Sequence, residues 1–166
     1  MSNKKLFRKV AENYPPPALI LDLDGSLFNC EHRLHHVLNR PKNYPAFEAG
    51  IKDDTVYRSI SNFVNELSIN FNDLYIVVLT GRSENTMAIT LEKLDDSGVL
   101  YDAIYMRKNK DYRKDTIVKQ ELLDEIFIDG YTPVMCIEDR DHLLDMFKSN
   151  FLLCFKADQG VISVYR

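Results

Sequence analysis

Ala18-Leu-Ile-Leu-Asp-Leu-Asp-Gly-Ser26 (ALILDLDGS) carries an aliphatic run straight into two aspartates one residue apart, then a glycine and a serine. A buried strand that ends on carboxylates needs a compensating positive charge, because an unpaired buried charge is costly. Strand alternation puts Asp22 and Asp24 on the same side of the chain, and Gly25 permits a tight exit from the strand. The fold reading follows from whether other segments repeat this pattern.

Four do: Leu74–Thr80 (LYIVVLT), Tyr101–Arg107 (YDAIYMR), Pro133–Asp139 (PVMCIED) and Phe151–Ala157 (FLLCFKA). Several of the runs are continuous rather than alternating, as in parallel strands covered on both faces. Helical patterns fall between them. In residues 55–71 the positions Val56, Ile60, Phe63, Val64, Leu67 and Phe71 keep helical spacing. Residues 83–98 open on Ser83 as a cap and stop at Gly98, a third helix starts at Asp115, and a fourth covers 141–150. The alternation predicts an α/β fold: a three-layer, Rossmann-like parallel sheet of about five strands in a single domain over 1–166. Residues 1–17 form an N-terminal segment. Residues of about 28–55 form a small cap-like insertion after the first strand, with a short helix near Glu31–Leu38 and then a loose flap. A long connection of this kind in a compact domain is more often functional than decorative.

Composition narrows the class. The 166 residues are 45% hydrophobic and 28% charged, with a net charge of −4, which argues against a protein that coats duplex DNA while allowing a local basic patch. Cys30, Cys136 and Cys154 form no C-x-x-C pair and are expected to be reduced, structural thiols. The segment MSNKKLFRKVAENYPPP lacks an apolar leader core, and no apolar run reaches the ~20 residues of a membrane span. A cytoplasmic protein with no membrane partner is expected. His32, His35 and His36 have no cysteine or acidic partner at zinc spacing, so a helix face or a wall of the site is their expected place.

Ligands of an open α/β sheet bind beyond the carboxyl ends of its strands. There this sequence gathers Asp22 and Asp24, then Thr80-Gly81-Arg82, Arg107, and Glu138-Asp139. Carboxylates so grouped repel one another, and a divalent cation with hard oxygen ligands, Mg2+, is the natural counter-charge. One aspartate can attack phosphorus while the other transfers protons. Thr80 and the amide of Gly81 can hold phosphate oxygens, and Lys119, one turn into the helix from Asp115, can offset the negative charge. The loop RKNKDYRK, Arg107 to Lys114, is basic and carries Tyr112, which can stack on a base.

The ordered set DxDGS, TGR, helical lysine and ED resembles the haloacid dehalogenase (HAD) superfamily from about Ala18 to Ala157, and the second aspartate points to its phosphatases. MRKNKDYRKDTIVKQELL followed by IEDRDHLLDMF is similar, in letters and spacing, to the 3′-phosphatase domain of bacteriophage-type polynucleotide kinase–phosphatase. Arg107, Arg113-Lys114-Asp115, Val118-Lys119 and Glu138-Asp139-Arg140 carry that likeness, together with Arg33 and Arg82. The resemblance implies an Mg2+-dependent phosphomonoesterase. Asp22 is its nucleophile, Asp24 its acid–base group, and Thr80 and Lys119 position the phosphoryl group. The metal is held by Asp22, the Asp24 main-chain carbonyl and Asp139, with Glu138 in support through water or directly. Gly81, Arg82, Arg33 and Arg107 face the substrate. The expected substrate is a phosphorylated nucleic-acid end bearing a 3′-phosphate, with a free nucleoside monophosphate or other small phosphoester as the alternative. A non-catalytic nucleic-acid- or partner-binding domain is the third reading. No G-x-x-x-x-G-K-[ST] is present, so no kinase half and no use of ATP is expected, and a separate kinase or ligase in the same pathway is a candidate partner.

Overall fold

A computed structural model describes residues 15–166 apart from Asn72; the reading of the N-terminal segment 1–17 falls, up to residue 14, outside the described residues. Along the chain come β1 (Pro17–Leu21), β2 (Phe28–Asn29), α1 (Glu31–Leu38), α2 (Tyr44–Ala49), β3 (Thr55–Val56), α3 (Arg58–Asn70) and β4 (Tyr75–Ser83). They are followed by α4 (Met87–Ser97), β5 (Ala103–Arg107), α5 (Asp115–Ile128), β6 (Thr132–Glu138), α6 (Asp141–Ser149), β7 (Leu153–Asp158) and β8 (Val161–Val164). A six-stranded sheet has the order β5-β4-β1-β6-β7-β8. All its neighbours are parallel except the β7–β8 pair.

Strand alternation explains why the apolar runs are unbroken. On β1 and β4, Ala18, Ile20, Val77 and Leu79 pack with Val118 and Leu122 of α5 and Leu143 and Phe147 of α6. The intervening Leu19, Leu21, Ile76 and Val78 pack on the other face with Ile60 and Val64 of α3 and Leu94 of α4. With both faces covered, no position in Ala18–Leu21 or Ile76–Leu79 is left for a polar residue. The three cysteines are buried and free, and no helix among the described residues is long and apolar enough to cross a membrane.

Four differences from the sequence reading have physical causes. The sheet has six strands rather than about five, because β7 turns back through Gln159-Gly160. Both residues have positive φ, 45° and 82°, the pattern of a two-residue hairpin turn whose twist matches its strands. β1 stops at Leu21, so Asp24 lies in the following turn, where the backbone N–H groups of Leu27 and Phe28 both donate to Leu23 O. β4 runs past Thr80 to Ser83, with a register shift against β5 between those residues. Ser83 accepts from Asn85 N and caps a 3-10 turn, Glu84–Thr86, ahead of α4. Finally, the insertion is not a loose flap. α1 occupies Glu31–Leu38 as expected, but α2, a 3-10 turn at Gly50–Asp53 and an antiparallel β2–β3 ladder (Phe28↔Val56, Asn29↔Thr55) order the rest.

Ile20 is 1% exposed at the centre of the sheet and Leu38 is 75% exposed at the end of α1. Urea unfolding should show Ile20→Ala losing about 2–5 kcal/mol through lost burial and a residual cavity, and Leu38→Ala changing stability by less than about 0.5 kcal/mol.

Candidate active site

Two charge clusters meet at the carboxyl edge of the sheet. The first is built on Lys119, which α5 buries completely. Its ammonium donates to Asp22 Oδ1 at 2.5 Å and to Glu138 Oε2 at 2.6 Å. Burial alone would push the lysine toward neutrality, but the Asp22 and Glu138 charges hold its pKa above the usual value. Glu138 is fully engaged: its Oε1 accepts from the backbone N–H groups of Asp139 and Arg140, each at 3.2 Å. Despite burial, Lys119, the Asp139 hydrogen bond and Arg140 keep its pKa low.

Asp22 and Asp139 are treated differently. Asp22 Oδ2 and Asp139 Oδ1 are buried with no hydrogen-bond partner. Burial and the neighbouring Glu138 charge push Asp22 up to about 6. Burial, a hydrogen bond to Glu138 and the charge of Asp22 push Asp139 up to about 9. One oxygen each from Asp22, Glu138 and Asp139 lies within 4.8 Å of the others, enough to hold a metal ion. Orphaned buried carboxylate oxygens are costly, and a hard divalent cation satisfies both at once. The chain presses close here. Gly25 has φ of +89°, and any Cβ at that position would collide with Asp139 Oδ2, so only glycine lets the turn approach the acidic group.

The second cluster surrounds Asp24. Its Oδ1 accepts from Arg33 Nη2 at 2.6 Å, Arg82 Nε at 2.9 Å and Arg82 Nη2 at 2.5 Å, while Oδ2 accepts no bond from any described residue. Burial raises this carboxyl, but the Arg82 and Arg33 guanidiniums outweigh it and hold the pKa below the usual range. Behind the arginines stands Asp54, which the sequence reading did not single out. It accepts from Arg33 Nε and Nη2 and from Arg82 Nη2, each at 2.7 Å. Arg33 comes from α1 and Asp54 from the end of the same insertion, so the insertion reaches back into the site at both ends. The Phe47 ring covers the Arg33 guanidinium at 4.2 Å and the Phe28 ring that of Arg82 at 5.2 Å.

The remaining residues frame this edge. Thr80 is buried, and its Oγ1 accepts from Arg82 N at 3.2 Å, which leaves its own proton to donate elsewhere. Arg107 donates to the backbone oxygens of Gly81, Asp111 and Arg113 at 3.0–3.1 Å and pairs with Asp115. Asp115 also pairs with Arg140. Arg107 therefore spends its donors on holding the basic loop and the β4 bulge. His32 bonds Gly50 O at 3.1 Å, and the His35 and His36 rings contact each other on α1. Asp22, Asp24, Thr80, Gly81, Arg33 and Arg82 all line one cleft of ≈ 1090 Å³, which Arg107 and Asp139 also line; Lys119 and Glu138 sit behind it.

The signal that could have found Asp54 is faint. It ends a KDD run that reads as a solvated turn, and Asp53 beside it is indeed exposed. Only the fold distinguishes the two.

Comparisons with known proteins agree with this geometry. The family model of the polynucleotide kinase PNKP phosphatase domain matches residues 16–161. A chain of a Pnkp1/Rnl/Hen1 complex is 27% identical with a TM-score of 0.71, over 86% of this chain and 45% of that one. This chain thus spans less than half the length of that relative. A class C acid phosphatase from Bacillus anthracis (16% identity, TM-score 0.54, 82% of this chain and 57% of that one) and a haloacid dehalogenase-like protein, SP0104, from Streptococcus pneumoniae (14%, 0.58, 82% of each) share the fold. No curated protein matches the chain.

Two outcomes check the clusters. Without a divalent cation, the raised pKa values of Asp22 and Asp139 contribute stability that is present below pH ~4 and lost as pH rises through about 6 and about 9. Mg2+ binds the ionised form, so the Tm difference between Mg2+ and EDTA should widen from pH 5 to pH 9 in thermal melts. Asp54→Ala leaves two buried guanidiniums sharing Asp24 alone and should cost about 3–5 kcal/mol in chemical unfolding.

Proposed function

The chain belongs to the polynucleotide kinase PNKP phosphatase-domain family of HAD-type phosphoric monoester hydrolases, and we propose that it is an Mg2+-dependent polynucleotide 3′-phosphatase acting in nucleic-acid end repair. The observation that carries the reading is Asp22, a buried carboxylate with one oxygen on Lys119 and the other unpartnered. The Pnkp1/Rnl/Hen1 relatives, one of them described as an RNA repair complex, support a nucleic-acid end as the substrate and separate kinase or ligase enzymes as pathway partners. The cleft also supports it. At ≈ 1090 Å³ it stands at the upper end of the roughly 300–1,000 Å³ of ligand pockets, room for the terminal nucleotide of a polymer.

Asp22, Asp139 and the Asp24 main-chain carbonyl would hold Mg2+, with Glu138 acting through its grip on Lys119. Bound there, the ion supplies positive charge against the phosphoryl oxygens and lowers the repulsion between nucleophile and substrate. Asp24 takes a proton from solvent as the substrate binds; Asp22 then attacks phosphorus, the bond from phosphorus to the ester oxygen breaks, and Asp24 Oδ2 gives the leaving oxygen that proton. A water then attacks the aspartyl-phosphate while Asp24 takes its proton, and phosphate leaves with Asp22 restored.

The resting charge of Asp24 fits this cycle through its arginines. Arg33 and Arg82 keep the carboxyl ionised in the empty cleft. A phosphate dianion drawn to the same two guanidiniums adds negative charge beside Asp24 and weakens its hold on them, and both effects raise its pKa toward protonation. Thr80 donates its free hydroxyl proton to a phosphoryl oxygen, and Lys119 offsets charge on the nucleophile. Arg107 acts by fixing Gly81 and the basic loop.

Asp22→Asn should lower phosphate release by roughly 10³-fold or more while keeping the folded circular-dichroism spectrum; activity near wild type would defeat the assignment. Wild-type turnover should favour a 3′-phosphorylated oligonucleotide over 3′- and 5′-mononucleotides at equal concentration. Equal or faster hydrolysis of the mononucleotides would identify a nucleotidase instead.

A further inference from the structure

The mouth of the cleft carries features that the phosphoryl chemistry does not use. Tyr44, the first residue of α2, and Tyr112, in the basic loop after β5, face each other with ring centroids 6.3 Å apart and planes tilted by 45°. Both line the cleft that holds Asp22 and Asp24. They are 43% and 78% exposed, neither belongs to the two core layers, and neither hydroxyl bonds a described residue. Exposed rings that support no core are unexplained by folding.

The charges around them are also unspent. Lys108 pairs with Glu84, and Arg113 with Asp111 and Glu121. Lys42, Lys110 and Lys114 line the cleft and form no ion pair with any described residue, and Lys42 Nζ sits 5.8 Å from the centre of the Tyr44 ring. Three lysines without ion pairs among the described residues and two exposed aromatic rings thus share one mouth. Aromatic platforms along a cationic groove are how single-stranded nucleic acid is bound without reading its sequence.

At 6.3 Å and 45° the two rings form an ordinary tilted aromatic pair. A base that entered would replace that contact with one ring on each of its faces, about 6.8 Å apart at twice the base rise of about 3.4 Å. We propose that Tyr44 and Tyr112 form a clamp for a nucleobase near the 3′ end of a single-stranded substrate, with Lys42, Lys110 and Lys114 on its phosphodiester backbone. This rests on the polynucleotide reading above and deepens it. The insertion and the β5–α5 loop each supply one jaw. A paired base keeps at least one face in the duplex stack and cannot take a ring on each face, so the clamp selects single-stranded ends over blunt duplex ends, in DNA and RNA alike.

Steady-state kinetics on 3′-phosphorylated single-stranded oligonucleotides, DNA and RNA, test the clamp. Tyr44→Ala and Tyr112→Ala should each raise KM by roughly 5- to 100-fold, with the loss falling on KM rather than kcat; the folded variants Tyr44→Trp and Tyr112→Trp should keep the wild-type value. An abasic scan of the 3′-terminal nucleotides should find one position where wild-type KM rises by a similar factor and where the alanine substitutions add nothing further. Wild-type KM in the alanine variants, or no such abasic position, overturns the clamp and leaves the phosphatase reading standing. A wild-type protein that releases phosphate from acetyl phosphate but from no 3′-phosphorylated oligonucleotide overturns the substrate reading, and the clamp with it.

Discussion

The buried ammonium of Lys119, shared between Asp22 and Glu138, is the interaction on which the rest of the site depends. A lysine enclosed this completely stays charged only because two carboxylates face it, and those carboxylates stay in place only because the lysine faces them. When Asp22 is ionised the three groups sum to a net negative charge, while Asp139 beside them is held toward its neutral form. The two carboxylate oxygens left without a hydrogen-bond partner make this edge a candidate place for a cation and not merely a salt bridge. The strands carry the cost: β1 and β6 are pinned between two apolar layers, so Asp22 and Glu138 cannot swing out to water.

Beside this deficit lies a cluster of the opposite kind. Asp24 and Asp54 face Arg33 and Arg82, two charges of each sign, with aromatic rings over both guanidiniums. A balanced cluster tolerates burial better than an unbalanced one. The two aspartates of DLDGS therefore belong to different electrostatic worlds although one residue separates them. Asp22 is raised by burial and by Glu138, whereas Asp24 is lowered by its arginines. Those are the directions of the empty cleft: a cation beside Asp22 would lower the first and an anion on the arginines would raise the second.

The layered α/β fold was legible because continuous apolar runs have one economical explanation, strands covered on both faces. That Asp22, Asp24, Thr80 and Glu138-Asp139 come together at one edge was legible because each follows such a run, and Lys119 because it lies one turn into the helix that starts at Asp115. What escaped has a common cause. β8 depends on a Gln-Gly turn that gives little warning in the letters, and Asp54 depends on an insertion whose return path no local pattern announces. Arg107 was visible as a basic residue at the strand end, yet its donors close on backbone oxygens that only the folded loop brings near. Contacts between segments far apart in sequence were the part that could not be read.

Because the insertion after β1 contributes both Arg33 and Asp54, it is a keystone and not a cassette. A cap that swung away as a lid would pull a guanidinium off Asp24 and break a buried pair of ions, so the stretch behaves as a fixed wall, with entry and exit through the open mouth. It follows that grafting a foreign cap onto this scaffold would remove one guanidinium from Asp24 and the carboxylate that Arg82 shares with Arg33. In this architecture, the insertion and the electrostatics beneath it are inherited together.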